Sequence, residues 1–407
     1  MTMTSRHSDS RAVLPGCHAR LTGANLSAII LLILMAVTRS APAATDPANI
    51  RAVESLIAEM ESAVIAADRD AYLRCIATHD RRFRVEQEHW ADDLIEHKPL
   101  ELAWAATDLT PITPTRVEAM MRMKYRMASG HAAVPDGKTA TWRGAFEYRD
   151  PDGDGPAPRQ WLYVGETWQE LHGDNFVVKH LPGDEAVASV IRDIFPIAKA
   201  HVDEGFEIVN NEPQEIKLYR DMEHLKASVY LGMPDDWLGG WNEPGESIKF
   251  MTTYASTAAK WTRAFAHEYA HVATWEMGPL AHKMPWWACE GVAEVAAEAF
   301  FDEAERDMLE GAVRRWVVQG RLAAWHDISD YRTTAAPLKW QAYVQGRHMV
   351  GYISDRFGRQ ARNAWLRRMG HGETVEEATI GALGITFEEL DAQWRQSLGV
   401  TPRERSR

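Results

Sequence analysis

The stretch from Arg263 to Glu294, RAFAHEYAHVATWEMGPLAHKMPWWACEGVAE, constrains this chain more than any other part of it. His267 and His271 bracket Glu268, and Glu290 and Glu294 follow across a break that holds Gly278, Pro279 and Pro285. Positions four apart project from one face of a helix, so both imidazoles can reach a single ion. Zinc favours imidazole nitrogen and carboxylate oxygen in a four-coordinate shell, and a catalytic site leaves one position open for water. His267 and His271 supply two ligands. Glu268 points elsewhere but can reach a water held at that ion and take its proton as it attacks. The neighbouring Tyr269, Ala270 and Val272 are uncharged, as suits a helix buried beside a metal.

A third ligand must come from outside that helix. Gly278 and Pro279 end it, and Pro285-Trp286 can start a second helix from which Glu290 projects inward, with Glu294 one turn further along the same face. Glu290 is assigned as the third ligand. Glu294 is assigned as the carboxylate that orients a ligating imidazole through its other nitrogen, and the reverse assignment stays open. Trp286 and Trp287 read as core packing rather than as a substrate platform. A bare HExxH arises by chance in many chains, and two histidines on an Ala-rich helix can be ordinary core residues. The uncharged interleaving residues, the helix break and the placement of Glu290 favour the metal.

The rest of the chain sets the context. With 407 residues, 45% of them hydrophobic and 25% charged, it is a globular protein of about two domains. Residues 1–43 are set aside as a secretory signal peptide: Arg6, Arg11 and Arg20 precede the apolar run Ala28–Val37, and Ala41-Pro42-Ala43 forms a small-x-small cleavage site with the cut after Ala43. The competing reading is an uncleaved anchor, against which the run is short for a membrane span. The mature chain is then expected to be secreted or periplasmic, with no stable membrane span. Cys17 precedes the apolar core, so it is not placed for lipid attachment. The formal net charge is −13, and the leader carries more arginine than acid, so its removal makes the charge more negative. Such a surface repels phosphate backbones and excludes nucleic acid as a partner. Cys75 and Cys289 remain, as one disulfide or as two thiols.

Residues 47–181 form a first α+β region. Ile50, Val53, Ile57, Met60 and Val64 recur at helical steps within Ala48–Ala67, and Asp68–Ile76 continues as a short second helix. From Thr141 three strand-like runs follow, TWRGAFEYR, QWLYVGETWQEL and NFVVKHL. Asp150, Asp152, Asp154 and Gly155 match the start of a calcium loop, but the twelfth position is Trp161 and Pro156 and Pro158 would break the exiting helix, so a solvated hairpin turn is expected. The segment AADRDAYLRCIA resembles the first helices of the NTF2-like fold, which implies a scaffold or substrate-docking role.

Pro182-Gly183-Asp184-Glu185 marks a boundary, and residues 186–400 form the second domain. Ala188–Glu204 reads as a helix kinked or interrupted at Pro196, and IKLYRD, ASVYLG and SIKFMTTYAS read as strands of a small sheet. Ile248–Tyr254 is the candidate edge on which an extended peptide could pair beside the metal. From Phe300 to Leu398 the period is helical, expected to wall the cleft opposite the sheet, and Thr401–Arg407 is expected to fray.

HExxH, eighteen residues, then Glu in a W-x-x-E-G-x-A-E setting (His267, Glu268, His271, Trp287, Glu290, Gly291, Ala293, Glu294) resembles the gluzincin metallopeptidases and most of all the bacterial peptidase MA-like domains. YVQGRHMVGYISDRFG from Tyr343 and ALGITFEELDAQWRQSLG from Ala382 are similar to their tail, so the resemblance spans Ala186 to Gly399. It implies a zincin-like catalytic domain, Zn2+ held by His267, His271 and Glu290, Glu268 as general base, and a peptide or protein substrate. It also implies a Tyr or His from a later helix near the oxyanion: Tyr343 first, with Tyr331 and His348 as alternatives. One departure stands out. Aminopeptidases of this group carry G-x-M-E-N for the substrate's amino terminus, whereas this chain has Gly240-Trp241-Asn242-Glu243-Pro244, in which only Glu243 could do similar work. An endopeptidase is therefore expected. A zinc-binding module without activity and a zinc hydrolase of a non-peptide or cell-wall bond are the alternatives.

Overall fold

The computed structural model describes residues 47–127, 137–149, 159–232 and 239–399. The leader at 1–43, the turn beginning at Asp150 and the tail at 401–407 lie outside the described residues. Helix α1 (Pro47–Ala66) buries Val53, Ile57, Met60 and Val64, the stripe its spacing predicts. Helix α2 (Arg69–Arg74) starts at Asp68, whose carboxylate accepts from the Ala71 N–H, and α3 (Arg81–Glu96) starts at Asp80, which accepts from the Phe83 N–H. Strands β1 (Pro99–Thr113), β2 (Arg116–Met127), β3 (Lys138–Arg149) and β4 (Gln160–Glu166) then form an antiparallel sheet in sequential order. One core joins this sheet to the three helices through Val53, Met60, Trp90, Met121, Met123 and Phe146.

A second, mixed sheet follows. Strands β5 (Gln169–Gly173) and β6 (Phe176–His180) form a hairpin, α4 (Glu185–Phe206) crosses over, and β7 (Gln214–Tyr219) lies parallel to β6. After α5 (Met222–Val229) come β8 (Gly240–Trp241) and β9 (Ile248–Met251), giving the order β5-β6-β7-β9-β8. The helical part consists of α6 (Ala258–Trp275), α7 (Trp286–Ala297), α8 (Glu303–Val318), α9 (Ala336–Phe357), α10 (Arg359–Gly370), α11 (Val375–Leu383) and α12 (Phe387–Ser397). The larger core lies between α4, the second sheet and these helices, with Phe195 set edge-on against both Phe265 and Tyr269 of α6. The class is α+β, as expected.

Several local expectations are corrected. The three strand-like runs do not share one sheet: QWLYVGETWQEL divides into β4 and β5, and β5 and β6 belong to the second sheet. ASVYLG is not a strand, because Asp221 caps the His224 N–H and its first residues complete α5. The helix around Pro196 runs unbroken from Glu185 to Phe206, since Ile191, Ile194, Phe195 and Ala198 anchor it while Pro196 lies on the exposed side. Strand β9 is not an edge. It pairs with β7 on one side and β8 on the other, so the edge is β8. Cys75 and Cys289 are both free thiols, and no helix among the described residues is long and apolar enough to cross a membrane.

Buried charge binds the first region to the second sheet. Lys217 of β7 donates to Glu86 of α3 at 2.6 Å, and Lys249 of β9 lies 3.8 Å from Glu86 and donates to Glu246 at 3.0 Å. Ser247 donates to Glu86 through both its N–H and its hydroxyl. Burial alone would raise the Glu86 carboxyl, but Lys217 and Lys249 outweigh it and hold that carboxyl below the ordinary range. A carboxyl depressed in the folded state contributes stability above its unfolded pKa of about 4.3 and loses it as pH falls below that value. Replacing Glu86 by Ala leaves Lys217 and Lys249 buried without their shared partner and should cost about 3–5 kcal/mol. Denaturant unfolding should show the gap between wild type and E86A widest near neutral pH and narrowing as the solution is taken below pH ~4; a gap independent of pH would contradict this account.

Candidate metal centre

Thr257 caps α6 by accepting from the Lys260 N–H, and Trp261, Phe265, Tyr269 and Ala273 turn one face of that helix into the core. His267, Glu268 and His271 are left on the face that opens to a cleft. Helix α7 brings Glu290 and Glu294 opposite them. Its position is fixed by a close crossing with α9: a Cβ on Gly346 would lie 2.1 Å from the Trp287 carbonyl oxygen, and one on Gly291 would lie 2.4 Å from the Gly346 carbonyl carbon. Only hydrogen at both positions lets the two backbones approach so closely.

The distances divide the carboxylates. Oε2 of Glu290 lies 3.3 Å from Nε2 of His267 and 3.6 Å from Nε2 of His271, whereas Oε1 of Glu294 lies 3.0 Å from the other ring nitrogen, Nδ1, of His267. One donor atom from each of His267, His271 and Glu290 falls within 4.8 Å of the other two. Ligands at ~2.0–2.2 Å from a tetrahedral zinc are separated by roughly 3.3–3.6 Å. The observed His–Glu separations match that spacing. Glu290 Oε2 is also buried and makes no hydrogen bond among the described residues, so a partner is called for there. Two imidazoles and a carboxylate are a borderline-soft donor set that suits zinc. The residues present therefore fit the metal.

Electrostatics point the same way. Burial opposes a charge on His267, yet the carboxylates of Glu290 and then Glu294 beside it raise its pKa well above the ordinary value. Burial would raise Glu290, but His271 and His267 outweigh it and hold that carboxyl well below the ordinary range. Glu268 is pushed up by burial against the pull of the two imidazoles. Three carboxylates thus face two imidazoles in a buried place, an excess of negative charge that a divalent cation relieves.

Other expectations meet mixed outcomes. Trp287 is core, 1% exposed, but Trp286 does more than pack: its Nε1–H donates to Glu290 Oε1 at 2.8 Å and orients the carboxylate. Tyr343 of α9 lines the cleft, its ring stacked on that of His267 with centroids 6.0 Å apart, and burial, then Glu290, raises its hydroxyl. Tyr331 also lines the cleft, 5.2 Å from Trp286. His348 does not: Nδ1 accepts from Trp394 and Nε2 faces Glu310 at 3.4 Å, which removes it from the oxyanion candidates. In the sequence, Gly240 and Asn242 stand in a segment that departs from the aminopeptidase motif, with no role of their own assigned. A Cβ on Gly240 would meet Glu268 Oε1 at 2.7 Å, and Asn242 donates to the Glu268 carbonyl at 2.7 Å, so the edge strand β8 lies directly against the motif. A glycine beside a short aromatic strand was the available signal.

The cleft has a volume of roughly 830 Å³ and is bounded by β8, α6, α7, the start of α9 and, from the first region, Asp93 and His97.

The model of the Peptidase MA superfamily matches residues 195–400, just over half of the chain, and the chain belongs to that superfamily. No curated protein matches it. Among solved structures it is similar to a mutant M1 zinc metallopeptidase from Deinococcus radiodurans, at 13% identity over 75% of this chain and 63% of that one with a TM-score of 0.33. It is also similar to a mutant two-domain M1 zinc metallopeptidase bound to L-arginine, at 14% identity over 74% of this chain and 61% of that one with a TM-score of 0.30. The chain spans about three-fifths of the length of these structures.

Metal analysis of the purified protein tests the centre directly. One zinc per chain is expected. Loss of Glu290 in E290A should abolish stoichiometric zinc, while E294A, which removes only the contact to His267 Nδ1, should weaken affinity by about 10–100-fold. Equal loss in both variants would remove the basis for dividing the two roles.

Proposed function

We propose that the chain is a zinc-dependent peptidase of the gluzincin kind that cleaves peptide bonds within extended substrates. The observation that carries this reading is the convergence of His267, His271 and Glu290 on one point of a cleft that also holds Glu268 and the free edge strand β8. Zinc bound there supplies Lewis-acid polarisation of a carbonyl and of a water. Glu268 takes the proton from the attacking water and passes it to the departing amine nitrogen, a transfer suited to a carboxyl raised by burial. Glu294 holds the His267 ring through Nδ1, and Trp286 holds Glu290. Tyr343 donates to the oxyanion that develops on the scissile carbonyl. The substrate adds as a strand along β8, whose main chain is unpaired on its outer side among the described strands.

The N-terminal region, read as residues 47–181, serves this site as a wall of the cleft through α3 rather than as a detached module. The leader at residues 1–43 would send the protein outside the cytoplasm, as a periplasmic or secreted enzyme. A second reading, removal of residues from an amino terminus, is favoured by one observation. Glu243, in the cleft wall, has its carboxyl pushed up to about 7 by burial and then by Glu246, so it lacks a cation that a substrate ammonium would provide.

A peptide library with free and acetylated amino termini tests both readings. Internal cleavage of both sets is expected, and cleavage confined to free termini would transfer the assignment to the second reading. In E268Q, zinc should stay bound while turnover falls by at least ~10²-fold, and Y343F should lower kcat by ~10²–10³ with little change in KM. Undiminished cleavage by pure E268Q protein would sink the peptidase proposal altogether.

A further inference from the structure

The loop that leads into α9, residues 329–334, follows a short turn at Trp325–Ile328 and runs along the metal cleft before the helix begins. Ser329, Asp330, Tyr331, Arg332 and Thr334 all line that cleft. The Ser329 carbonyl accepts from the Trp286 N–H at 2.8 Å, which ties the start of the loop to the first residue of α7. Asp330 closes the turn itself. Its carboxylate accepts from the Arg332 N–H at 2.7 Å, and its carbonyl accepts from the Thr334 N–H and hydroxyl at 2.9 and 2.6 Å. A turn held by its own side chains fixes where Tyr331 and Arg332 leave the backbone.

Those two side chains reach different walls of the cleft. The Tyr331 ring packs edge-on against Trp286 of α7, with centroids 5.2 Å apart, and against Trp241 of β8 at 6.4 Å, while the ammonium of Lys339 lies 4.0 Å from the ring centre. Edge-to-face rings and a cation over a ring both attract at such distances. One ring thus bridges the helix that carries Glu290 and the edge strand that lies against Glu268. Arg332 continues the bridge to the first region: Nη1 donates to Glu96 at 2.6 Å and Nη2 lies 3.8 Å from Asp93, both on α3.

The bond to α3 is the weak one. The Arg332 and Glu96 side chains are 54% and 65% exposed, so water and salt compete for their charges and the pair contributes little to folding. Asp93 is buried, but it keeps a second partner in His97 at 2.7 Å, so the departure of Arg332 strands no buried charge. A contact of this kind does not hold the molecule together. Set across an opening, it breaks and re-forms at low cost, as a closure must.

We propose that residues 329–334 are a strap across the metal cleft and that Tyr331 and Arg332 select substrates by length: a short peptide enters beneath the strap, whereas a longer chain reaches the centre only once Arg332 has left Glu96. The choice of a peptide as substrate rests on the peptidase reading; the strap does not. Two measurements on the full zinc-loaded chain test it. Hydrogen exchange over residues 329–334 should quicken in E96A, a substitution outside the loop, with exchange over α6 and zinc content unchanged. For cleavage, a library peptide of about six residues is compared with the same sequence extended to about twenty, roughly 20 Å against 65 Å when stretched out. E96A and R332A should each raise kcat/KM for the long peptide by about 2–5-fold, the range an exposed ion pair can supply, and leave the short one unchanged. The double variant should match either single one, and added salt should favour the long peptide in wild type but not in R332A. If wild type cleaves neither peptide, the peptidase reading fails and exchange alone decides the strap. Unaltered exchange in E96A, or equal gains for both peptide lengths, would overturn it.

Discussion

Two helices meet backbone to backbone where Gly291 crosses Gly346, and the metal centre depends on that contact. Helix α7 carries Glu290, and α9 carries Tyr343. With a side chain at either glycine the helices would separate by the thickness of a methyl group, and Glu290 Oε2 would leave the position 3.3 and 3.6 Å from the two imidazoles. A metal site tolerates an error of a few tenths of an ångström, so a packing detail in the core sets the chemistry at the surface of the cleft. Gly240 does the same from the other side, by letting the edge strand lie against the Glu268 carboxylate. The functional atoms are thus held from both directions by the absence of side chains.

The parts of the site that were legible in the sequence are those fixed by helical spacing. His267, Glu268 and His271 are placed by one continuous helix, and a helix break with a proline restart predicts where Glu290 and Glu294 stand on the next. What the sequence hid depends on pairing between distant segments. Strand β2, RVEAMMRMKYRM, is rich in residues that favour helices, and only its alternating burial reveals a strand with one face on the core. Strand β1 carries prolines at both ends and is exposed along much of its length, which removes the hydrophobic alternation a reader relies on. The order of the second sheet was equally hidden: β9 precedes the metal helix in sequence, but β8, a two-residue strand, folds back outside it. All four residues of β9 are buried, as suits an interior strand rather than an edge that would invite aggregation.

The first region is held to the catalytic sheet by ion pairs rather than by apolar surface alone. Glu86 reaches from α3 to lysines on two parallel strands, β7 and β9, of which β9 pairs directly with β8. Such a cluster contributes little net stability compared with a well-packed apolar contact, since desolvation offsets most of its Coulombic gain. What it does provide is register. Lysines at Lys217 and Lys249 can both meet Glu86 in only one placement of α3 across the sheet, and that placement also brings Asp93 and His97 to the cleft wall. The same docking closes a small aromatic cavity, whose lining comes from the helices, the first sheet and α5 together.

Charge also explains why the centre is built with more carboxylates than a zinc ligand set needs. Glu290 alone completes the donor triad, yet Glu268 and Glu294 sit in the same buried space. Each has a separate place: Glu268 lies on the same helix face as the two histidines, and Glu294 meets the Nδ1 side of the His267 ring, so that Nε2 faces Glu290. Without a cation, the His267 imidazole holds a proton against the acids around it, which is what the raised His267 and the depressed Glu290 express. A divalent ion and that imidazole proton compete for the same lone pair, so a site that binds zinc must release the proton to do so. The excess of carboxylate shifts that competition toward the ion, because one divalent charge offsets two of the three carboxylates, more than a single imidazole proton can.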